Sequence, residues 1–149
     1  MRLLPYALLA VLAGCGSAAA GSSSAVPLEA ISFAPSLQVD FSQMERLSSG
    51  VYIRDLVIGT GPQATRGTRV AMHYAGFLPD GTPIDANTPP MAPFDFVLGQ
   101  GKVIRGWDDG ILGMRAGGQR QLVIPPTEGY GGRRVGTVPP NATLVFVVK

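Results

Sequence analysis

Residues 103 to 114, Val-Ile-Arg-Gly-Trp-Asp-Asp-Gly-Ile-Leu-Gly-Met, constrain this chain more than any other stretch. Ile104, Trp107 and Ile111 fall at i, i+3 and i+7, one face of a short helix, and the middle of that face carries the only tryptophan in the protein. Gly110 and Gly113 each cost an isolated helix about 1 kcal/mol. Packing rather than propensity must therefore hold it, and it needs a sheet to lie on. Taken alone, Trp107 reads as a core residue; its surroundings decide whether it also belongs to a site.

The 149 residues leave room for one domain. Charged residues are 15% of the chain while Gly (20) and Pro (13) are abundant, which describes a turn-rich, sheet-rich protein rather than a helical bundle. Net charge is only +2 and the basic residues are scattered, with Arg133-Arg134 the one adjacent pair, so nucleic-acid binding has no support.

Residues 1–14 read as a signal peptide outside the fold: Met1-Arg2 brings one positive charge, an apolar run follows, and small residues close it before Cys15. The run is too short to span a bilayer as a helix. Leu-Ala-Gly-Cys at 12–15 resembles the lipobox of bacterial lipoproteins, which implies an acylated Cys15 as the new N-terminus and a lipid anchor in the membrane. Gly16, where Asp would favour retention at the inner membrane, leans towards the periplasmic side of the outer membrane. Cys15 is the only cysteine, so no disulfide is available. Residues 15–47 form the lipidated N-terminus, a Ser/Ala/Gly tether over 17–24 and a lead-in. From 26 to about 46 the hydrophobicity rises without a period, and this piece is expected to be poorly ordered or loosely laid on the domain.

The domain proper is placed at 48–149. Residues 51–58 read as a strand ending at Gly59-Thr-Gly-Pro, and 69–78 as a second strand stopped by Pro79-Asp-Gly. Ile84-Asp85 opens a Pro-rich loop; 94–98 is a third strand, 119–124 a fourth ended by Pro125-Pro126, and 143–148 a last, buried one. Strands with one short helix and long Gly/Pro loops predict an antiparallel α+β domain.

Single motifs within it are weak. Gly99-x-Gly-Lys is half a phosphate loop, without the first Gly or the following Ser/Thr. Asp108-Asp109 point to different helix faces and read as solvated residues rather than a paired-carboxylate site. His73, the sole histidine, has no partner for a metal site, and no Ser or Cys nucleophile has a visible base.

Together the segments resemble the FKBP-type peptidyl-prolyl cis/trans isomerases. The resemblance rests on Val70-Ala-Met-His-Tyr-Ala-Gly, Asp80-Gly-Thr-Pro-Ile-Asp, Pro93-Phe-Asp-Phe-Val-Leu-Gly, Val103-Ile-Arg-Gly-Trp-Asp-Asp-Gly, Gly117-Gly-Gln-Arg, Ile124-Pro-Pro, Gly129-Tyr-Gly and Pro139-Pro-Asn-Ala-Thr-Leu-Val-Phe, in the family's order. It implies a twisted antiparallel sheet wrapped around one short helix, and no cofactor or metal. It also implies a pocket. Trp107 would form the floor under the substrate proline; Tyr74, Phe94, Val103, Ile104, Val138 and Phe146 would line the walls, with Ile84 beside them. The Ile104 N–H and the Tyr130 phenol would hydrogen-bond substrate carbonyls, and Asp85 would sit near the twisting amide. Trp107 is then both core and site.

An apolar site suits this chemistry. Rotating a peptide bond means breaking amide resonance against a barrier of about 18–20 kcal/mol, and X-Pro bonds isomerise slowly unaided. No bond to substrate forms, so no nucleophile is needed, and a water-excluding pocket favours the less dipolar twisted form. Three departures from the family pattern stand out: Ile84 replaces a usual Phe, Pro90 stands where some relatives place an Arg that pairs with the aspartate, and Arg133-Arg134 alters the pocket rim towards acidic or extended clients. The expectation is a monomeric isomerase acting on proline-containing polypeptides outside the cytoplasm and open to macrolide inhibitors. A non-catalytic chaperone or binding module with the same fold is the alternative, and a lipoprotein binding a small apolar ligand a third.

Overall fold

The computed structural model describes residues 26–149; residues 1–25, on which the expected signal peptide, the expected lipidation at Cys15 and the expected tether fall, lie outside it. The strands are β1 (Glu45–Arg46), β2 (Tyr52–Val57), β3 (Arg69–Met72), β4 (Tyr74–Phe77), β5 (Pro83–Asn87), β6 (Phe94–Val97), β7 (Gln119–Ile124) and β8 (Leu144–Val148), and α1 spans Arg105–Gly110. Six strands form one sheet in the order β1-β2-β7-β8-β4-β5, antiparallel throughout. β3 and β6 pair separately. The α+β architecture expected from the sequence is present, with a single α-helix among the described residues.

α1 lies against β7. At Gly106 an added Cβ would fall 2.5 Å from Ile124 Cγ2, and at Gly110 2.9 Å from Leu122 Cδ2. Gly110, which weakens the helix in isolation, and Gly106 are thus what let it reach the sheet, whereas Gly113 falls beyond the helix end with nothing within 4 Å of an added Cβ. Trp107 and Ile111 are buried on this face, in a core with Met72, Phe96, Leu98, Leu122, Ile124, Leu144, Phe146 and Val148. Arg120 of β7 ties the helix end down: its side chain is buried, Nη1 donates to Gly110 O (2.9 Å) and Leu112 O (3.0 Å), and Nε and Nη2 take both Asp55 oxygens at 2.6 and 3.0 Å. A cation at the carbonyl end of a helix also opposes its dipole.

Four expectations are corrected. The strand anticipated over 69–78 is two strands, because the chain turns at His73 from pairing with β6 to pairing with β8; His73 there exchanges both backbone hydrogen bonds with Lys149. Ile84-Asp85 belongs to an edge strand, β5, rather than opening a loop. Pro83 is tolerated as its first residue, since an edge leaves a missing N–H unneeded. Asp108 is buried rather than solvated, accepting from the N–H groups of Gly99 (2.7 Å) and Gly101 (3.0 Å), while Asp109 pairs at the surface with Arg66.

The fourth correction concerns the lead-in. Residues 28–43 form three 3-10 turns, Leu28–Ala30, Pro35–Leu37 and Phe41–Gln43, laid across the sheet face opposite α1. Leu28 and Leu37 are buried there with Tyr52, Val123 and Val145. Gln121 Nε2 donates to Leu37 O at 2.6 Å, Arg54 Nη2 to Gln38 O at 2.9 Å, and the Tyr52 hydroxyl to Glu29. Alternate residues of β8 and of the Leu122–Ile124 end of β7 therefore enter two different cores, which is why β8 is apolar throughout.

The α1–β7 contact predicts a sign. Ala is a better helix former than Gly by about 1 kcal/mol, yet Gly106→Ala is expected to destabilise the protein by about 1–3 kcal/mol through overpacking against Ile124. Urea unfolding followed by Trp107 emission measures this; a stabilised variant would contradict the packing described.

Candidate functional site

Between α1 and the loop after β7, the sheet opens into a cleft of about 750 Å³ whose floor and walls are Trp107, Tyr74, Phe94, Val103, Ile104, Tyr130 and Phe146. The volume suits a small ligand or a few residues of peptide. Trp107 is 4% exposed at the base, with the Tyr74 ring 4.9 Å from it at 79° and the Phe146 ring 5.3 Å from it at 88°, both edge-to-face. Phe94, from β6, is 38% exposed and stands 6.2 Å from Tyr74 and 6.4 Å from Trp107. Five elements thus bring one aromatic ring each to one wall or floor.

Phe146 depends on Gly76, the last residue of the Val70-Ala-Met-His-Tyr-Ala-Gly segment, to which the sequence alone gave no separate role. Gly76 of β4 pairs with it across the sheet, and an added Cβ at 76 would meet Phe146 Cε1 at 2.4 Å. Glycine inside a strand marks such a close approach, and its place between Tyr74 and Phe77 was the available signal.

Polar groups are few. Asp85 Oδ2 accepts from the Tyr74 hydroxyl at 2.7 Å and Oδ1 from the Ala86 N–H at 2.9 Å. The tyrosine thus orients the aspartate that no arginine at position 90 can hold. Burial, reinforced by this hydrogen bond and the nearby carboxylate charge, pushes the Tyr74 phenol up to about 12. Burial, then the charge of Asp85, also raises the Tyr130 phenol. Both phenols stay protonated at neutral pH and remain donors. Tyr130 sits on a loop fastened by Gly131 N–H to Pro126 O (2.8 Å) and Asn141 N–H to Gly131 O (2.7 Å).

Ile104 caps α1 with extended backbone, and its carbonyl accepts from the Trp107 and Asp108 N–H groups. Its own N–H has no backbone acceptor among the described residues. That leaves a donor at the cleft lining. The loop before it is fixed from below by Asp108, through Gly99 and Gly101, which adopt the left-handed φ of +82° and +69° that glycine favours.

Of the residues expected at the site, Tyr74, Asp85, Phe94, Val103, Ile104, Trp107, Tyr130 and Phe146 line the cleft. Ile84 and Val138 do not. Ile84 packs half-buried against the main core, and Val138, 5% exposed, lies within it. The sequence reading missed Lys102, Arg105 and Thr127, which line the rim with Arg133; polar rim residues carry no period or motif that would announce them. Among the described residues, no three His, Cys, Asp or Glu side chains come together as a metal cage.

Comparison with known proteins agrees with this geometry. The family model for FKBP-type peptidyl-prolyl cis-trans isomerase matches residues 61–149. The chain is 44% identical over 101 residues to an FK506-binding protein of Neisseria meningitidis serogroup B, covering 67% of this chain and 93% of that one. It is 48% identical over 103 residues to FK506-binding protein 4 of Saccharomyces cerevisiae, covering 69% of this chain but 26% of the yeast protein, so it spans about a quarter of that relative's length. The crystal structure of a peptidyl-prolyl cis-trans isomerase from Pseudomonas syringae superposes with a TM-score of 0.64 at 34% identity, over 72% of this chain and 77% of that one. The chain belongs to the FKBP-type peptidyl-prolyl cis-trans isomerase family.

Proposed function

We propose that this protein accelerates cis-trans rotation about X-Pro bonds by holding the proline over Trp107 in a site that excludes water. The observation that carries the reading is the cleft itself: aromatic rings converge on one floor, while the donors at its lining, the Ile104 N–H and the Tyr130 phenol, suit backbone carbonyls rather than a reacting bond. The planar amide is strongly dipolar and its twisted form is not, so transfer into an apolar site disfavours the ground state relative to the transition state. Tyr130 and the Ile104 N–H would fix the carbonyls on either side while the bond turns. Asp85, held by Tyr74, places the one negative charge beside the twisting amide.

Exchange NMR on a short Leu-Pro-Phe peptide tests this. The purified protein is expected to speed interconversion, Trp107→Leu to lower kcat/KM by about tenfold or more through loss of the floor, and Tyr130→Phe by about three- to tenfold for one lost hydrogen bond. FK506, suggested as a probe by the names of the relatives, should compete. A folded protein that binds FK506 yet leaves the exchange rate untouched would instead favour a binding module of the same fold.

The working place we propose is outside the cytoplasm, on proline-containing chains, with the protein a monomer anchored through lipid on Cys15. The support is the signal-like run and lipobox-like residues 12–15. Among the described residues no helix is long and apolar enough to cross a membrane. Fractionation of bacterial cells expressing the full chain should place the wild type with membranes and Cys15→Ala in the soluble fraction; equal partitioning of the two would count against the anchor.

A further inference from the structure

The cleft carries charges that the isomerisation reading leaves unused. Three cationic side chains, Lys102, Arg105 and Arg133, line it beside the single carboxylate Asp85. That carboxylate is already engaged by the Tyr74 hydroxyl and the Ala86 N–H. The three cations are exposed, and none makes an ion pair among the described residues, whereas Arg66, Arg69 and Arg120 are each matched to an aspartate. They are not randomly placed: Lys102 and Arg105 flank Val103 and Ile104, and Arg133 follows Tyr130 by three residues, so each group of charges borders one of the two donors expected to hold substrate carbonyls.

Both segments are fastened. The first is held through Asp108 to Gly99 and Gly101, the second through Gly131 and Asn141, so the charges stand on fixed backbone at the mouth. A peptide with its proline over Trp107 must run its flanking residues past them. Cations of one sign around a low-dielectric cleft concentrate the potential there and draw anionic groups in. An acidic flank would find three cations without a carboxylate partner among the described residues, and a basic flank would meet those three cations against the single carboxylate Asp85, already engaged by Tyr74 and Ala86.

We propose that the cleft selects X-Pro segments flanked by acidic residues, with Lys102, Arg105 and Arg133 as the side chains that set this specificity. The proposal rests on the isomerase reading of the same cleft. It is tested with the full-length protein in neutral detergent, by exchange NMR on three peptides that share Leu-Pro-Phe and are flanked by Glu, Gln or Lys. The kcat/KM values are expected in the order Glu, Gln, Lys, with about a tenfold span at low salt carried by KM, from several exposed pairs acting together. At about 1 M salt, where screening acts within about 3 Å, the span should close. It should also close at low salt in Lys102→Gln/Arg105→Gln/Arg133→Gln. Equal turnover of the three peptides by the wild type at low salt would overturn the selectivity and leave the isomerase standing. A preference that survives in the triple variant would overturn the assignment to these residues. No acceleration of any peptide would overturn the isomerase reading and this proposal with it. The wild-type peptide and salt series decides the preference even if the triple variant does not fold.

Discussion

The approach of α1 to β7 is the contact on which everything else in this fold depends. A helix of six residues cannot sustain itself in water, because nucleation costs more than so few hydrogen bonds return. Here it is held from three directions. Gly106 and Gly110 let it sink onto Ile124 and Leu122. The Arg120 guanidinium takes the carbonyls of Gly110 and Leu112 while bridging to Asp55 of β2. Asp108 reaches forward to the amides of Gly99 and Gly101. Remove the close approach, and Trp107 has no fixed place.

That same contact makes the site. Trp107 is buried by the sheet beneath it and by Tyr74, Phe94 and Phe146, which pack on the indole at edge-to-face angles, and the 4% of it still exposed belongs to a residue that lines the cleft. An aromatic floor stabilised by core packing needs little further support, so binding surface and hydrophobic core are one set of side chains seen from two sides. The polar groups are also structural by-products put to use. The Ile104 N–H is one of the amides that the start of any helix leaves without an intrahelical acceptor, and Asp85 is oriented by a cross-strand tyrosine.

The second face of the sheet shows how much of the chain a local reading can misjudge. Residues 26–46 have apolar side chains without helix or strand periodicity, and periodicity is the signal a sequence offers. Their order comes instead from short 3-10 turns whose leucines and aromatics fill the spaces over Tyr52, Val123 and Val145, with Gln121 and Arg54 reaching up to their carbonyls. The two-sided apolar run of the last strand was the clue that something must cover both faces. The bend at His73 was hidden for a related reason: both halves of 69–78 are good strand, and only the partners, β6 for one and β8 for the other, separate them.

What the sequence determined by itself was the set of parts and most of the site. The i, i+3, i+7 spacing around Trp107 marked the helix, alternation and turn residues marked most of the strands, and the motif order identified the family and eight of the residues that line the cleft. These features are local, and local chemistry is written along the chain. The tertiary structure decided which neighbours each part would meet. It buried Asp108 under a loop nine residues away, packed Ile84 and Val138 into the main core, placed Gly76 against Phe146 and gathered Lys102, Arg105 and Arg133 at one mouth. Those outcomes depend on contacts between segments far apart in sequence. Burial and charge neighbourhood are properties of that assembled surface, not of any stretch that contributes to it.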